Sequence, residues 1–381
     1  MKKILIDLTQ IPIKKVGVGV YAENLIRELI VSSNKIKYKL LIQDDDLEFI
    51  KLIKELNKND EVIIKEVNSN IFRKFIFRFV LEQIYIPLYA SLNKVDVIHS
   101  LHYTFPLFTN KKRVVTYHDM TFFIYPELHE KIKVIIFKFF IKLGIKKCNK
   151  IISVSQSTKN DLKKYLKLGD KELNKIKVIP LGKSDLYNLE RNENDIDEIK
   201  NKFLISKEYI LFIGTLEPRK NIERILEAFN DIKNKINEEL VIVGKKGWFY
   251  DKIYEKLEKY ELQDRVVLTG YVTEEEKVSL LKGAKLFVYP SFYEGFGIPV
   301  LEALSCGIPT ITSNISSLPE VAGKAAELIN PNDIDEISKS ILEMLVGEEK
   351  RNNFIKLGID QSNKFSWKRC ALETKKIYEE L

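Results

Sequence analysis

A repeated alternation limits the folds open to this chain more than any other feature. Short apolar runs rich in Ile and Val alternate with stretches of helical period, and the series occurs twice. Apolar runs separated by helices read as strands of a parallel sheet whose faces the helices cover. The first series comprises Ile4–Leu8, Tyr38–Ile42, Val62–Val67, Val95–Ser100, Arg113–Thr116 and Ile151–Val154, with helices over Val20–Ser32 and Asp46–Asn57 among those between them. The second opens at Tyr209–Gly214 and runs through Leu240–Gly244, Val266–Thr269, Leu286–Tyr289, Thr310–Thr312 and Ala326–Ile329. Residues 184–200 between them are polar, charged and aperiodic, which sets a linker at 184–203. The expected fold class is α/β, with two Rossmann-like domains at 1–183 and 204–365 and a final helix at 366–381 that begins near Trp367. A length of 381 residues suits two such domains.

Composition excludes several other classes. The chain is 45% hydrophobic, enough for full cores, and has no uncharged stretch long enough to cross a bilayer. The opening Met1–Asp7 reads as a buried strand, because Asp7 interrupts it and no small-residue cleavage site follows. Cys148, Cys306 and Cys370 are too widely spaced for a disulfide framework or a zinc cluster and suit a reducing cytosol. The formal charge of +8 accompanies a general richness in Lys, Ile and Asn and names no partner by itself.

The most informative motif runs from Ser291 to Thr310. A buried strand ends at Pro290, a Gly295-Phe296-Gly297 loop follows, and a helix continues from Val300 until Gly307 closes it. A glycine loop feeding a helix N-terminus offers backbone N–H groups and a positive dipole end to a phosphate. Glu294 and Glu302, eight residues apart, flank that site and can accept hydrogen bonds from hydroxyls. An anion cradle between two hydroxyl acceptors suits a nucleotide sugar. The segment resembles the donor-site signature of the retaining glycosyltransferases of family 4 (group 1), which have the two-domain GT-B fold. That signature is two glutamates with seven residues between them around a Phe-Gly-hydrophobic centre, matched here by Glu294, Phe296, Gly297, Ile298 and Glu302.

Other motifs extend the resemblance. Glu217-Pro-Arg-Lys-Asn221 follows a strand end, where ligands of open parallel sheets bind. Arg219 can fork onto a phosphate and Lys220 can act as a point charge. Family members carry a diphosphate-binding lysine at the Lys220 position, and many have an arginine directly after the strand glycine. Here that residue is Thr215, so one of the two expected cations is either missing or supplied by Arg219. Gly17-Val-Gly19 resembles the family's glycine loop over the donor, and Gly270-Tyr271-Val272 the loop against its base. His118, in Tyr117-His118-Asp119 after a strand, matches the family's histidine near the sugar and can donate a hydrogen bond to a sugar oxygen. His99, His102 and Asp119 are candidates for the acceptor side. Ser316–Val321 and Gly323 read as supporting structure.

Some motifs carry rival readings. Gly17-Val-Gly19 with Ala22 also fits a dinucleotide fingerprint followed by acidic residues, Asp44-Asp45-Asp46, which would make an NAD-dependent oxidoreductase. That fingerprint needs its glycine directly after the strand, and Thr9–Val16, including Pro12, intervenes. The three aspartates read as a helix-capping cluster and are assigned no metal. Segments 71–79 and 131–142 mix bulky apolar residues with cations. They suit core helices or a peripheral contact with anionic lipid. No nucleic-acid module accompanies them, so nucleic acid is not an expected partner.

The resemblance implies two domains facing a cleft, with the terminal helix returning to the first. It implies transfer of a hexose from GDP-mannose or a UDP-sugar to a hydroxyl of a glycan or lipid-linked glycan, with retention. The setting would be surface-polysaccharide synthesis in the cytoplasm, at the inner membrane face. The catalytic group would be His118, Glu294 and Lys220. Donor contacts would come from Gly17, Gly19, Thr215, Arg219, Lys220, Tyr271 and Val272, and from Glu294, Phe296, Gly297, Ile298, Leu301 and Glu302. The donor is a substrate, and the reading requires no cofactor and no metal. The alternative to catalysis is a GT-B protein that only binds nucleotide sugar.

Overall fold

The computed structural model describes residues 1–13, 15–32, 36–57, 61–247 and 250–381. The chain divides into two compact units, Met1–Gly182 with Ser366–Leu381, and Lys183–Phe365.

The first unit is built on a seven-stranded parallel sheet. Its strands are β1 (Lys2–Asp7), β2 (Ile36–Gln43), β3 (Val62–Val67), β4 (Val97–Ser100), β5 (Lys112–Tyr117), β6 (Lys150–Ser153) and β7 (Ile176–Val178), in the order β3-β2-β1-β4-β5-β6-β7. The central strands are apolar on both faces because helices cover both: Ile4, Leu5, Ile6, Val97, Ile98, Val114 and Val115 are almost wholly buried. The edge strand β7 is not evident in the sequence, being three residues long with Lys177 exposed at its centre.

The second unit has a six-stranded parallel sheet. Its strands are β8 (Tyr209–Ile213), β9 (Glu239–Val243), β10 (Val266–Gly270), β11 (Leu286–Tyr289), β12 (Thr310–Ser313) and β13 (Glu327–Ile329), ordered β10-β9-β8-β11-β12-β13. In each sheet the strand order reverses once, between β1 and β4 and between β8 and β11. Connections leave in opposite directions there, so a crevice opens at the strands' carboxyl ends.

The stretch expected to be a linker is structured. Glu193–Lys202 is a helix capped by the Asn192 side chain, and it buries Ile196 and Ile199. These residues, three apart, supply the apolar face that packs on the helix Glu274–Gly283. The final helix, Trp367–Glu380, is capped by Ser366 and belongs to the first unit. Lys2 Nζ donates to the carbonyls of Tyr378 and Glu379 at 2.9 and 2.8 Å, a cation at a helix C-terminus. Gly182 passes so close that a Cβ there would lie 2.0 Å from the Trp367 nitrogen.

Candidate functional site

In the second unit, the loops after β8 and β11 meet at the point of strand reversal, and they carry the charged residues. After β8, a short 3-10 turn, Pro218–Lys220, presents Arg219 and Lys220. After β11, the chain runs through Pro290 to Glu294. Lys220 Nζ bonds Glu294 Oε1 and the Tyr289 hydroxyl, both at 2.6 Å, and that hydroxyl lies 3.0 Å from the same Glu294 oxygen. Arg219 lies 2.9 Å from Glu294 Oε2 and 2.6 Å from Glu217 Oε1, and it donates to the Tyr293 carbonyl. Lys220 and Glu294 are each 8% exposed. Burial works against a charged Glu294, but Arg219 and Lys220 outweigh it and bring its carboxyl down to about 2. Burial, with Arg219, pushes the Lys220 ammonium down, and Glu294 opposes that shift. An ammonium has three donors, and two of those on Lys220 hold Tyr289 and Glu294.

Asn221 stands at the N-cap of the helix Ile222–Ile232 but makes no side-chain cap bond to it. It adopts a left-handed φ of 61°, and its Nδ2 donates to the carbonyls of Pro290 and Pro331. It therefore fastens the Lys220 turn to the β11 loop.

The glycine loop is rigidly held. Gly297 caps the helix Ile298–Ser305 at φ 107°, and a Cβ there would meet Leu318 Cδ2 at 2.8 Å. No side chain caps this helix. The Ile298 N–H stands where a helix has no internal acceptor, and Pro299 has no N–H. The N–H groups of Val300 and Leu301 already donate to the Gly297 carbonyl, and the Leu301 side chain is fully buried. Leu301 is therefore a core residue, a correction to its expected place at the donor. Ser316 Oγ accepts from the Glu294 N–H at 3.0 Å, and Ser317 Oγ lies 2.8 Å from the Phe296 carbonyl. Phe296 packs edge-on against Phe365.

Glu302 lies in the same helix, 4% exposed, with its Oε1 3.0 Å from Lys277 Nζ. Lys277 also pairs with Glu274, and the Tyr187 hydroxyl donates to Glu274. Burial raises the Glu302 carboxyl above its ordinary range, with Lys277 opposing. For Lys277, burial is outweighed by Glu302 and Glu274, which raise it. The helix carrying Lys277 starts at a Thr273–Glu276 capping box directly after Tyr271, which is 51% exposed, and the buried Val272. Thr215 is half-buried, and its Cγ2 lies near Gly247. The sequence reading missed Tyr289, Tyr187 and Lys277. Only Tyr289 had a local signal, as the last strand residue before Pro290.

The first unit revises several expectations. Gly17 caps the helix Val18–Val31 at φ 52°, and Gly19 lies inside that helix, not in a loop before it. His118 Nε2 lies 2.8 Å from the Leu101 carbonyl, so that nitrogen carries the proton. Burial lowers its pKa, with Leu101 and Asp119 opposing, and the neutral ring offers Nδ1 as an acceptor, not the expected donor. His99 is fully buried. Its Nδ1 lies 2.6 Å from the Tyr378 hydroxyl and its Nε2 2.9 Å from Thr116 Oγ1, and burial pushes it down to about 3. It anchors the final helix and does not line a surface, which corrects its acceptor assignment. His102 is half-buried and also pushed down to about 3 by burial, its ring packed on Tyr103 and Phe137. Asp119 Oδ1 accepts from the Tyr103 hydroxyl and from the Thr121 N–H and hydroxyl, so that oxygen serves local structure. Of the aspartate cluster, Asp46 stands at the N-cap of the helix Leu47–Leu56 but makes no side-chain cap bond and pairs with Lys15, Asp45 pairs with Arg73, and Asp44 accepts from the N–H of Ser69, the first residue of the helix Ser69–Phe72.

Comparison with known proteins accords with this geometry. Residues 16–182 match the model for glycosyltransferase family 4, and residues 195–361 that for group 1 glycosyl transferases. The chain is 30% identical to O-antigen chain mannosyltransferase B of Escherichia coli across 99% of both chains. It is also 30% identical to O-antigen chain mannosyltransferase RfbU of Salmonella typhimurium, over 62% of this chain and 61% of that one. A similar solved structure is HepE of Anabaena in complex with UDP and glucose, with a TM-score of 0.77, 15% identity and full coverage of both chains. The chain's two parallel-sheet α/β units are those of the GT-B class, and it belongs to the group 1, family 4 glycosyltransferases.

Proposed function

We propose that this enzyme transfers a mannosyl unit from a nucleoside diphosphate sugar, GDP-mannose in the first instance, to a hydroxyl of a lipid-linked surface glycan at the inner membrane face, with retention at the anomeric carbon. The observation that carries the reading is the Lys220–Glu294–Tyr289 cluster beside the Gly297 helix terminus. Two relatives named as O-antigen mannosyltransferases support the choice of sugar and acceptor class.

The chemical barrier lies in parting the sugar from the diphosphate. The remaining Lys220 donor, Arg219 and the Ile298 N–H would stabilise charge growing on the departing phosphate. They act from fixed positions with little solvent around them, so little reorganisation is needed as the bond breaks. Glu294 would accept a sugar hydroxyl and hold the donor in one pose. Glu302, oriented by Lys277, would accept the ribose hydroxyls. His118 would take a sugar hydroxyl on Nδ1. The reading calls for no metal ion.

The test is incubation of purified protein with labelled GDP-mannose, UDP-glucose or NAD(H), beside a lipid-linked glycan acceptor. A labelled product from GDP-mannose, with its anomeric configuration kept by NMR, supports the reading. Turnover only with a UDP-sugar overturns the donor assignment. Binding of NAD(H) alone, without sugar transfer, overturns the whole reading.

A further inference from the structure

An exposed apolar stripe on the first unit remains outside this chemistry. Residues Phe75–Leu92 form one continuous helical segment, long and apolar enough by composition to cross a membrane. It does not stand alone, because Leu81, Ile86 and Ala90 are buried in a core cluster with Leu5, Leu41 and Ile98. Its outer side carries Ile76, Val80, Ile84, Leu88 and Leu92, all between 46% and 75% exposed.

These residues recur at every fourth position. In an ordinary α-helix each such step overruns one turn by about 40°, so the last would lie about 160° round from the first. The turn Leu81–Tyr85 is π-helical. Its extra residue takes back about 100° and keeps the five side chains within a band of about 60°. The wide turn therefore converts a spiralling set of side chains into one flat apolar edge.

A second helix, Lys131–Lys147, lies alongside, with the Phe79 and Phe140 rings 5.8 Å apart. It buries Phe137, Phe140, Ile141 and Ile145 and exposes Ile132, Ile135 and Phe139. It holds six lysines and no carboxylate. Between residues 73 and 94 the only acidic residue is Glu82, which is fully buried against Arg78. The exposed surface of the two helices is thus apolar at its centre and richer in cations than in carboxylates around it: Lys133 pairs with Glu130, just before the helix, while the helix itself supplies no acid to its other five lysines.

We infer that this face docks onto the surface of an anionic lipid bilayer, lying in the interface with the stripe inserted and the lysines on the headgroups. The stripe extends to Leu92, beyond the segment 71–79 that the sequence suggested. A symmetric contact with a second copy fits less well, since it would set two helices of six lysines each against one another with only Glu130 of each copy beside them.

Flotation of the purified full chain with vesicles tests this. The protein is expected to float with phosphatidylglycerol-containing vesicles, less so at high salt, and to stay behind with pure phosphatidylcholine. The triple variant Ile76→Ser, Val80→Ser, Ile84→Ser should lose vesicle binding by about tenfold or more. Lys138→Glu with Lys142→Glu should abolish the preference for anionic lipid, which keeps the proposal testable if the triple variant folds poorly. Val346→Ser, exposed in the second unit, should change nothing. Undiminished flotation of both stripe and lysine variants would overturn the proposal. So would a lipid-free dimer that the triple variant dissolves, which would assign the face to a second copy. Vesicle binding needs no donor, and transfer to a soluble acceptor needs no vesicle, so failure here is distinct from failure of the proposed chemistry.

Discussion

Replacing Glu294 with glutamine would remove the charge that two buried cations share while keeping the side chain's shape. Burial alone would raise this carboxyl, but Arg219 and Lys220 overcome it and hold it at about 2. An unfolded glutamate titrates near about 4.3, and the difference corresponds to roughly 3 kcal/mol of native stability at neutral pH. Because the folded value is the lower one, that stabilisation is complete above the unfolded value and is lost as pH falls towards about 2. Breaking a buried pair by neutralising one partner costs about 3–5 kcal/mol by independent experience, which agrees. The second unit has about 180 residues. A domain of that size loses roughly 2–4 °C per kcal/mol, so Glu294→Gln should melt about 6–12 °C lower at neutral pH. Calorimetry across pH is the assay, and the gap from wild type should narrow by about pH 3. Adding Lys220→Met should recover part of the loss, because it removes the stranded ammonium. A melting temperature within about 2 °C of wild type at neutral pH, or a gap that does not depend on pH, would refute the reasoning.

Four further outcomes are expected. Lys220→Ala should lower turnover about a hundredfold or more in initial-rate assays, and full activity would move the phosphate role to Arg219. Glu302→Ala, and to a lesser degree Lys277→Met, should weaken nucleotide binding by about 1–3 kcal/mol in calorimetric titration; equal affinity would remove Glu302 from the ribose. His118→Ala should slow turnover while nucleotide affinity stays the same, and unchanged turnover would leave the histidine only its bond to Leu101. Gly182→Ala would drive a methyl into the Trp367 backbone and should destabilise the first unit by at least about 1–3 kcal/mol. Faster amide exchange along Trp367–Glu380 would register it, and native exchange would sink the prediction.

The fold was legible where burial is two-sided. Strands such as Ile210–Phe212 and Phe287–Tyr289 are apolar throughout because helices cover both faces, so composition alone marks them. It failed where few apolar residues do the work. The helix Glu193–Lys202 turns on Ile196 and Ile199 in a polar stretch, and β7 is too short to show a period. In the second unit, Glu294, Glu302 and Lys220 stood out because spacing and glycines surround them. Their partners did not. Tyr289 reads as an ordinary strand aromatic, and Lys277 as one lysine among many, until folding brings them to carboxylates 5 and 25 residues away. His99 misled for the same reason: a histidine at a strand end looks like a ligand, and only the distant Tyr378 shows it to be an anchor.

The position of the final helix makes the second unit an insertion within the first. Gly182 and Ser366, the two points where the chain leaves and re-enters the first unit, are neighbours: a Cβ on Gly182 would lie 2.4 Å from the Ser366 carbonyl carbon. Lys2 likewise holds the carbonyls of Tyr378 and Glu379, so strand β1 and the final helix are stitched together. No single cut can release the first unit whole. A short bridge from 182 to 366 would excise the second unit and leave the seven-stranded sheet with its closing helix.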